Sequence, residues 1–237
     1  MKVEIWSDFM CPFCYIGKRR FEQALDQFAG KGETEVIFRS FELNPQASNG
    51  ESGNVHAMLA QKYGMSLEQA RASTSDLTQQ AAAVGLSFNF DTMVNTNSFD
   101  AHRLIYFAEK NSKAAELTEL MFKASFTDGT NISSREALAG LAAAAGLDRG
   151  QAAQALEQDD FTREVRSDEE EAQRLGIRGV PYFVIDRKYA VSGAQSPEMF
   201  LQALNKAWEE RKPVITPFSP DGAGSSGGAC SVDGDCN

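Results

Sequence analysis

Val3-Glu4-Ile5-Trp6 is a short apolar stretch that reads as a strand, and past Cys11 the apolar positions fall at helical spacing, at Phe21, Leu25 and Phe28. Val36-Ile37-Phe38-Arg39-Ser40-Phe41 alternates well enough for a second strand, which Asn44-Pro45 then breaks. From about Asn54 to Glu157 almost everything reads as helix. Ser66 begins a capping box with Gln69, and Gly85 stops that helix. Ser133 pairs likewise with Glu136 ahead of Leu138 and Leu141, Gly146 closes that helix, and Ser112 is placed to cap the one carrying Leu117, Leu120 and Met121. A further helix sets Phe161, Val165, Ala172 and Leu175 on one face and the run Asp168-Glu169-Glu170-Glu171 on a solvated one, to which no function is assigned. Strands over Tyr182–Asp186 and Tyr189–Ser192 turn at Arg187-Lys188. Ser196-Pro197-Glu198 opens a last helix on Phe200, Leu204 and Trp208, and Pro213 marks its end.

The order is α/β, with an all-helical stretch between the second and third strands. Into it falls Cys11-Pro12-Phe13-Cys14, between the first strand and the first helix. Strand, CxxC and helix in that order build a redox dithiol. Unpaired amides and the positive end of the helix dipole favour a thiolate on Cys11, so its pKa is expected to be lowered and Cys11 to be the nucleophile. Cys14, one turn on and more buried, then resolves the mixed disulfide. Pro12 suits the first helical turn, and Phe13 brings no charge. The competing reading of a CxxC is half of a zinc site. The remaining cysteines, Cys230 and Cys236, lack the spacing of zinc ligands, so no metal is expected. Gly179-Val180-Pro181-Tyr182 sets a proline at the mouth of an apolar strand, and a cis Val180–Pro181 bond would accommodate it there.

Asp8-Phe9-Met10-Cys11-Pro12-Phe13-Cys14, the Gly-Val-Pro loop and Asn97-Ser98-Phe99-Asp100-Ala101-His102-Arg103-Leu104 together resemble the DsbA-type thioredoxin-like oxidoreductases, in particular their FrnE-like cytoplasmic branch. The resemblance spans roughly residues 1–212. It implies a thioredoxin-like domain over 1–50 and 158–212, interrupted by a helical insertion over 51–157 and followed by a tail over 213–237. It also implies that Val180 offers its backbone to an extended substrate, that Pro181 shapes that loop, and that His102 lies close enough to the dithiol to support a thiolate or relay a proton. The insertion is where substrate selectivity is expected. Met58, Met65, Met93 and Met121 within it are read mainly as core, and His56, which follows a Gly/Asn-rich loop, as surface.

With 237 residues and 42% hydrophobic content, the chain can bury a substantial core. Four cysteines are too few for a disulfide scaffold, and no stretch approaches the ~20 apolar residues of a membrane span. A net charge of −10, from 33 acidic and 23 basic residues, invites neither nucleic acid nor an anionic membrane. Strand-like sequence from Lys2 onward leaves no room for a secretory signal, so a cytoplasmic protein is expected, where a disulfide is usually transient and catalytic.

The tail is rich in Gly, Ser and small residues and carries Cys230 and Cys236. About 16 residues of such composition span roughly 20–24 Å, enough to bring this pair to the dithiol as a second redox couple. The expected activity is thiol–disulfide exchange on protein or peptide substrates, as oxidase, reductase or isomerase. It needs no dissociable cofactor and takes its electrons from, or gives them to, glutathione or a thioredoxin system. Two readings from other classes remain open. One is a glutathione-dependent isomerase of the 2-hydroxychromene-2-carboxylate type, a related branch with a serine where Cys11 stands. The other is a zinc-binding or holdase stress protein.

Overall fold

A computed structural model describes residues 1–49 and 54–211. Strand β1 (Lys2–Ser7) runs into helix α1 (Pro12–Gln27), and a 3-10 turn at Lys31–Glu33 leads to β2 (Glu35–Ser40). Seven helices follow among the described residues: α2 (Val55–Tyr63), α3 (Leu67–Ala82), α4 (Phe99–Lys110), α5 (Ala114–Phe126), α6 (Arg135–Ala144), α7 (Arg149–Glu157) and α8 (Thr162–Arg174). Strands β3 (Tyr182–Ile185) and β4 (Tyr189–Ser192) and helix α9 (Pro197–Glu209) complete the order.

The strands form one mixed sheet in the order β2-β1-β3-β4, with β2 parallel to β1 and β3 antiparallel to both β1 and β4. β1 is central, and its alternation sorts its side chains onto two different layers. Val3 and Ile5 pack with Phe21, Phe28, Phe183, Phe200 and Leu204 under α1 and α9. Trp6 faces the other way, against Ala172 and Ile177. This is the thioredoxin-like sheet with its helical insertion between β2 and β3.

Several boundaries follow the sequence signals and several depart from them. Ser66 and Gln69 form the reciprocal capping box of α3, and Gly85 takes φ +77° beyond its end, a conformation that favours glycine. Ser134, not Ser133, caps α6, because the Asn131 carboxamide already holds both the Ser133 amide and hydroxyl. Ser112 caps nothing. It adopts φ +56° after α4, and α5 starts behind Lys113. The stretch between α3 and α4 is not helical: it buries Phe88, Phe90 and Met93 in the insertion core as irregular chain. The β3–β4 turn begins one residue early, since Asp186 and Arg187 carry its positive φ values.

Two readings of polar residues are corrected. Asp168 belongs to an acidic run expected to be solvated, yet it is 3% exposed. It sits at the foot of β2, where its carboxylate accepts from the Ser40 amide at 2.8 Å, from Arg39 and from the Tyr106 hydroxyl, and its carbonyl accepts from Trp6 Nε1 at 3.0 Å. His56 is likewise buried, with its ring bridging Asn54 and the Thr74 hydroxyl, because α2 lies back on α3.

Phe183 is fully buried, with ring centroids of Phe200 and Phe21 at 4.5 and 5.4 Å. Phe183→Ala is expected to lower the unfolding free energy by about 3–5 kcal/mol, whereas truncating the exposed Met199 to Ala should change it by no more than about 0.5 kcal/mol. Urea titrations at neutral pH read both.

Candidate active site

Cys11 is the N-cap of α1 and Pro12 its first helical residue. The Cys11 amide donates to the Asp8 carbonyl at 3.0 Å and the Cys14 amide to the Cys11 carbonyl at 3.0 Å, so the turn closes directly onto the helix. No side chain caps α1. The N-terminus of α1, the positive end of its dipole, therefore stands at Cys11. Cys11 and Cys14 are 4% and 2% exposed. Burial and the neighbouring Cys11 push the Cys14 thiol well above its usual range, and the Ser7 hydroxyl and Asp8 amide facing it offset this only in part.

The Val180–Pro181 peptide is cis, and the Cys11 thiol donates to the Val180 carbonyl at 3.6 Å. Gly17, one turn beyond Cys14, makes this closeness possible. A Cβ there would stand 3.0 Å from Pro181 Cγ and 3.4 Å from Ala194. Arg20, further along α1, donates to the Ala194 carbonyl at 2.5 Å and ties the segment after β4, whose Gly193 amide donates to the Pro181 carbonyl, to the helix. Glycine at 17 had no separate signal in the sequence, since within a helix it reads only as a weak position.

Cys11 opens on a cleft of about 910 Å³ between the dithiol turn, the loop after β2, and helices α2 and α3. Met10, Phe13, Leu43, Met58, Tyr63 and Met65 give it apolar walls. Phe13, Leu43 and Tyr63 are 43–61% exposed. Of the insertion methionines, Met93 and Met121 are core as expected, but Met58 and Met65 are only half buried and face this cleft. Its charged lining residues are Lys62, on the rim, and Asp8, on the floor. Among the described residues there is no group of three or more His, Cys, Asp and Glu placed to hold a metal. Cys230 and Cys236 lie outside the described residues.

Asp8 carried no role of its own in the sequence. It is 1% exposed, and its carboxylate accepts the Met10 amide at 3.1 Å and the Leu43 amide at 2.7 Å. His102 Nε2 stands 3.7 Å from its Oδ1. The ring, 4% exposed, packs on Phe9 at 5.0 Å, and Nε2 has no hydrogen-bond partner. His102 thus lies behind the dithiol turn rather than on the cleft wall. The rest of its segment is a bracket. Asn97 joins Glu42 and the Pro45 carbonyl, and Arg103, 1% exposed, donates to the carbonyls of Ala155, Leu156 and Asp160 at the end of α7.

Burial pushes the Asp8 carboxyl up, but the His102 ring, the Leu43 amide and the Ser98 hydroxyl outweigh it and hold the group below the usual carboxylate range. A depressed acid stabilises the fold at pH values above its unfolded pKa, about 3.9, and that contribution is lost as pH falls through the folded value. Asp8→Asn is therefore expected to lower stability at pH 7 and to narrow the gap from wild type at pH 3, as measured by urea denaturation at the two pH values.

A family model described as the DSBA-like thioredoxin domain matches residues 2–205. The chain is similar to a probable DsbA oxidoreductase from Streptomyces coelicolor, with 42% identity, TM-score 0.85 and coverage of 100% of this chain and 98% of that one. It is 29% identical over 208 residues to YwbO of Bacillus subtilis strain 168, a protein described as uncharacterized, covering 86% of this chain and 95% of that one. A cytosolic disulfide reductase, DsbM from Pseudomonas aeruginosa, solved with GSH, shares the fold at TM-score 0.63 and 18% identity, over 88% of this chain and 100% of that one. With the dithiol turn, the cis-proline loop and the sheet order already in place, the match over residues 2–205 means that the chain belongs to the DSBA-like thioredoxin domain family.

Proposed function

We propose that the protein is a thiol–disulfide oxidoreductase of the FrnE-like cytoplasmic branch, acting through Cys11 and Cys14 on protein or peptide substrates. The observation that carries this reading is the position of Cys11: at the N-terminus of α1, 3.6 Å from the Val180 carbonyl, and opening on the cleft. In the reducing direction the Cys11 thiolate attacks one sulfur of a substrate disulfide and expels the other as a thiolate. Cys14 then attacks Cys11, which releases the second substrate sulfur and leaves the Cys11–Cys14 disulfide. Two electrons pass to the substrate. Oxidation runs the same steps backwards, and isomerisation uses the first attack and its reversal.

The cleft supports a polypeptide as the group it holds. A segment lying along Val180 can use the backbone there while apolar side chains settle between Met10, Phe13, Met58 and Tyr63, where adaptable thioethers tolerate varied shapes. A small ligand bearing two carboxylates meets, among the described residues, Lys62 as the one cation lining the cleft. Glutathione therefore fits better as an electron partner that reaches Cys11 transiently than as a ligand enclosed by the cleft. Cys230 and Cys236 serve as a second pair that exchanges with Cys11–Cys14, a tethered reaction favoured by high effective concentration.

The test is equilibration of the full chain in glutathione buffers, followed by alkylation and mass mapping. A defined two-electron potential is expected, Cys14→Ser should trap a mixed disulfide on Cys11, and Cys11→Ser should abolish turnover of a protein disulfide. Thiols at residues 11 and 14 that fail to exchange, or become reactive only after a chelator is added, would overturn the reading. Ending the chain at Ala229 should shift the potential or the turnover, and no change in either would remove Cys230 and Cys236 from the cycle.

A further inference from the structure

We infer that Arg20 and Gly17 are positioning residues that set how closely the Val180 backbone stands to Cys11, and that they thereby fit the site to extended polypeptide disulfides over small ones, an inference that rests on the oxidoreductase reading above. Cys14, Gly17 and Arg20 follow one another at three-residue intervals along α1, so each is the surface neighbour of the next. The helix thus presents in sequence a sulfur, a residue without a side chain and a cation.

Two contacts of opposite sense act on the loop at Pro181. Gly17 lets it approach, since a Cβ at that position would stand 3.0 Å from Pro181 Cγ and 3.4 Å from Ala194. Arg20 holds it there. Its Nη1 donates to the Ala194 carbonyl at 2.5 Å, the Gly193 amide donates to the Pro181 carbonyl at 2.8 Å, and Tyr182 pairs with Ser192 in the β3–β4 register, so the chain after β4 and the proline loop form one piece. The partner chosen by Arg20 is itself informative. Lys18 and Arg19 beside it are paired with Glu22 and Glu119. Arg20, half buried, has no carboxylate partner among the described residues and directs its guanidinium to a carbonyl, a charge-assisted bond stronger than a neutral donor would make. At the far end of these contacts is the Val180 carbonyl, which accepts from the Cys11 thiol at 3.6 Å.

An extended substrate paired along Val180 depends on that spacing, because its own sulfur must reach Cys11 while its backbone stays in register with the loop. A disulfide without a peptide backbone makes no such demand. The Cys11 S–H bond to Val180 exists only in the reduced protein, so the same spacing also favours the dithiol over the disulfide. Exchange with glutathione reads that balance. The dithiol and one glutathione disulfide give the Cys11–Cys14 disulfide and two glutathione thiols, two electrons leave the dithiol, and its two thiol protons are matched by those gained on the glutathione sulfurs. Arg20 and Gly17 act on this chemistry only through Pro181 and Val180.

The experiment compares two oxidants of the reduced full chain on a background carrying Cys230→Ser and Cys236→Ser: a pair of unstructured peptides joined by one disulfide, and hydroxyethyl disulfide, which has no amide. Acid quenching, alkylation and mass measurement give a second-order rate constant for each. Arg20→Met is expected to lower the ratio of the peptide to the small-disulfide rate constant by at least about fivefold, and to move the glutathione equilibrium toward the Cys11–Cys14 disulfide by about two- to fivefold. Arg20→Lys, which keeps an N–H for the Ala194 carbonyl, should hold the ratio within about twofold of the parent. Gly17→Ala, which acts on the loop from the other contact, should lower the ratio in the same direction. A loss shared equally by the two disulfides, a ratio unchanged in Arg20→Met, or an Arg20→Lys no better than Arg20→Met would overturn the inference. Should Arg20→Met fail to fold by circular dichroism, Gly17→Ala decides alone. A parent that reacts with neither disulfide would instead count against the oxidoreductase reading.

Discussion

The turn from β1 into α1 is held by one carboxylate that is only 1% exposed. A buried charge must be met by donors or it destabilises the fold, and the groups that meet Asp8 come from different parts of the chain: the Met10 amide in the dithiol turn and the Leu43 amide after β2 donate to it, and the His102 ring on α4 stands 3.7 Å away. Satisfying that one group fixes the dithiol, the exit of β2 and the start of α4 with respect to one another. Cys11 becomes the N-cap of α1 by way of the Asp8 carbonyl, so the residue that sets the frame also sets the helix start that bears on the sulfur.

The insertion is tied down in the same manner elsewhere. Glu119 on α5 receives Tyr15, Lys18 and Arg19 from α1. Arg103 satisfies carbonyls at the end of α7. Asp168 joins α8 to β2 and to α4 through Ser40, Arg39 and Tyr106. Buried ion pairs such as these contribute little net stability, because desolvation consumes most of the Coulomb gain, but leaving one partner unmatched is costly. They act as registration marks that place α5 against α1, α7 against α4, and α8 against β2 and α4.

Sequence periodicity located most elements because apolar spacing reports which face of an element is covered. Val3, Ile5, Phe21, Phe200 and Leu204 were legible in this way, and so were the capping box at Ser66 and the glycine stop at Gly85. Polar positions were less legible. Asp168 and His56 read as solvated because acids in a run, or a lone histidine after a loop, usually are. Their burial depends on partners such as Thr74, 18 residues from His56, and Trp6, 162 residues from Asp168. The irregular path between α3 and α4 was missed for a related reason. Phe88, Phe90 and Met93 are apolar enough to suggest a helix, and only their contacts with Phe126 and its neighbours show that they pack as an extended plug.

Cys11-Pro12-Phe13-Cys14 between a strand and a helix, together with a proline at the mouth of β3, was enough to determine the class of fold and the chemistry to look for, since both depend on local order along the chain. Tertiary structure alone decided which groups surround that dithiol. Whether Met58 is core or cleft wall, whether Gly17 has to be glycine, whether His102 faces substrate or lies behind the turn, and that Asp8 is buried at all follow from how segments far apart in sequence close on one another. A single residue's pattern cannot report the desolvation and pairing that result, because both are properties of the neighbours it meets only after folding.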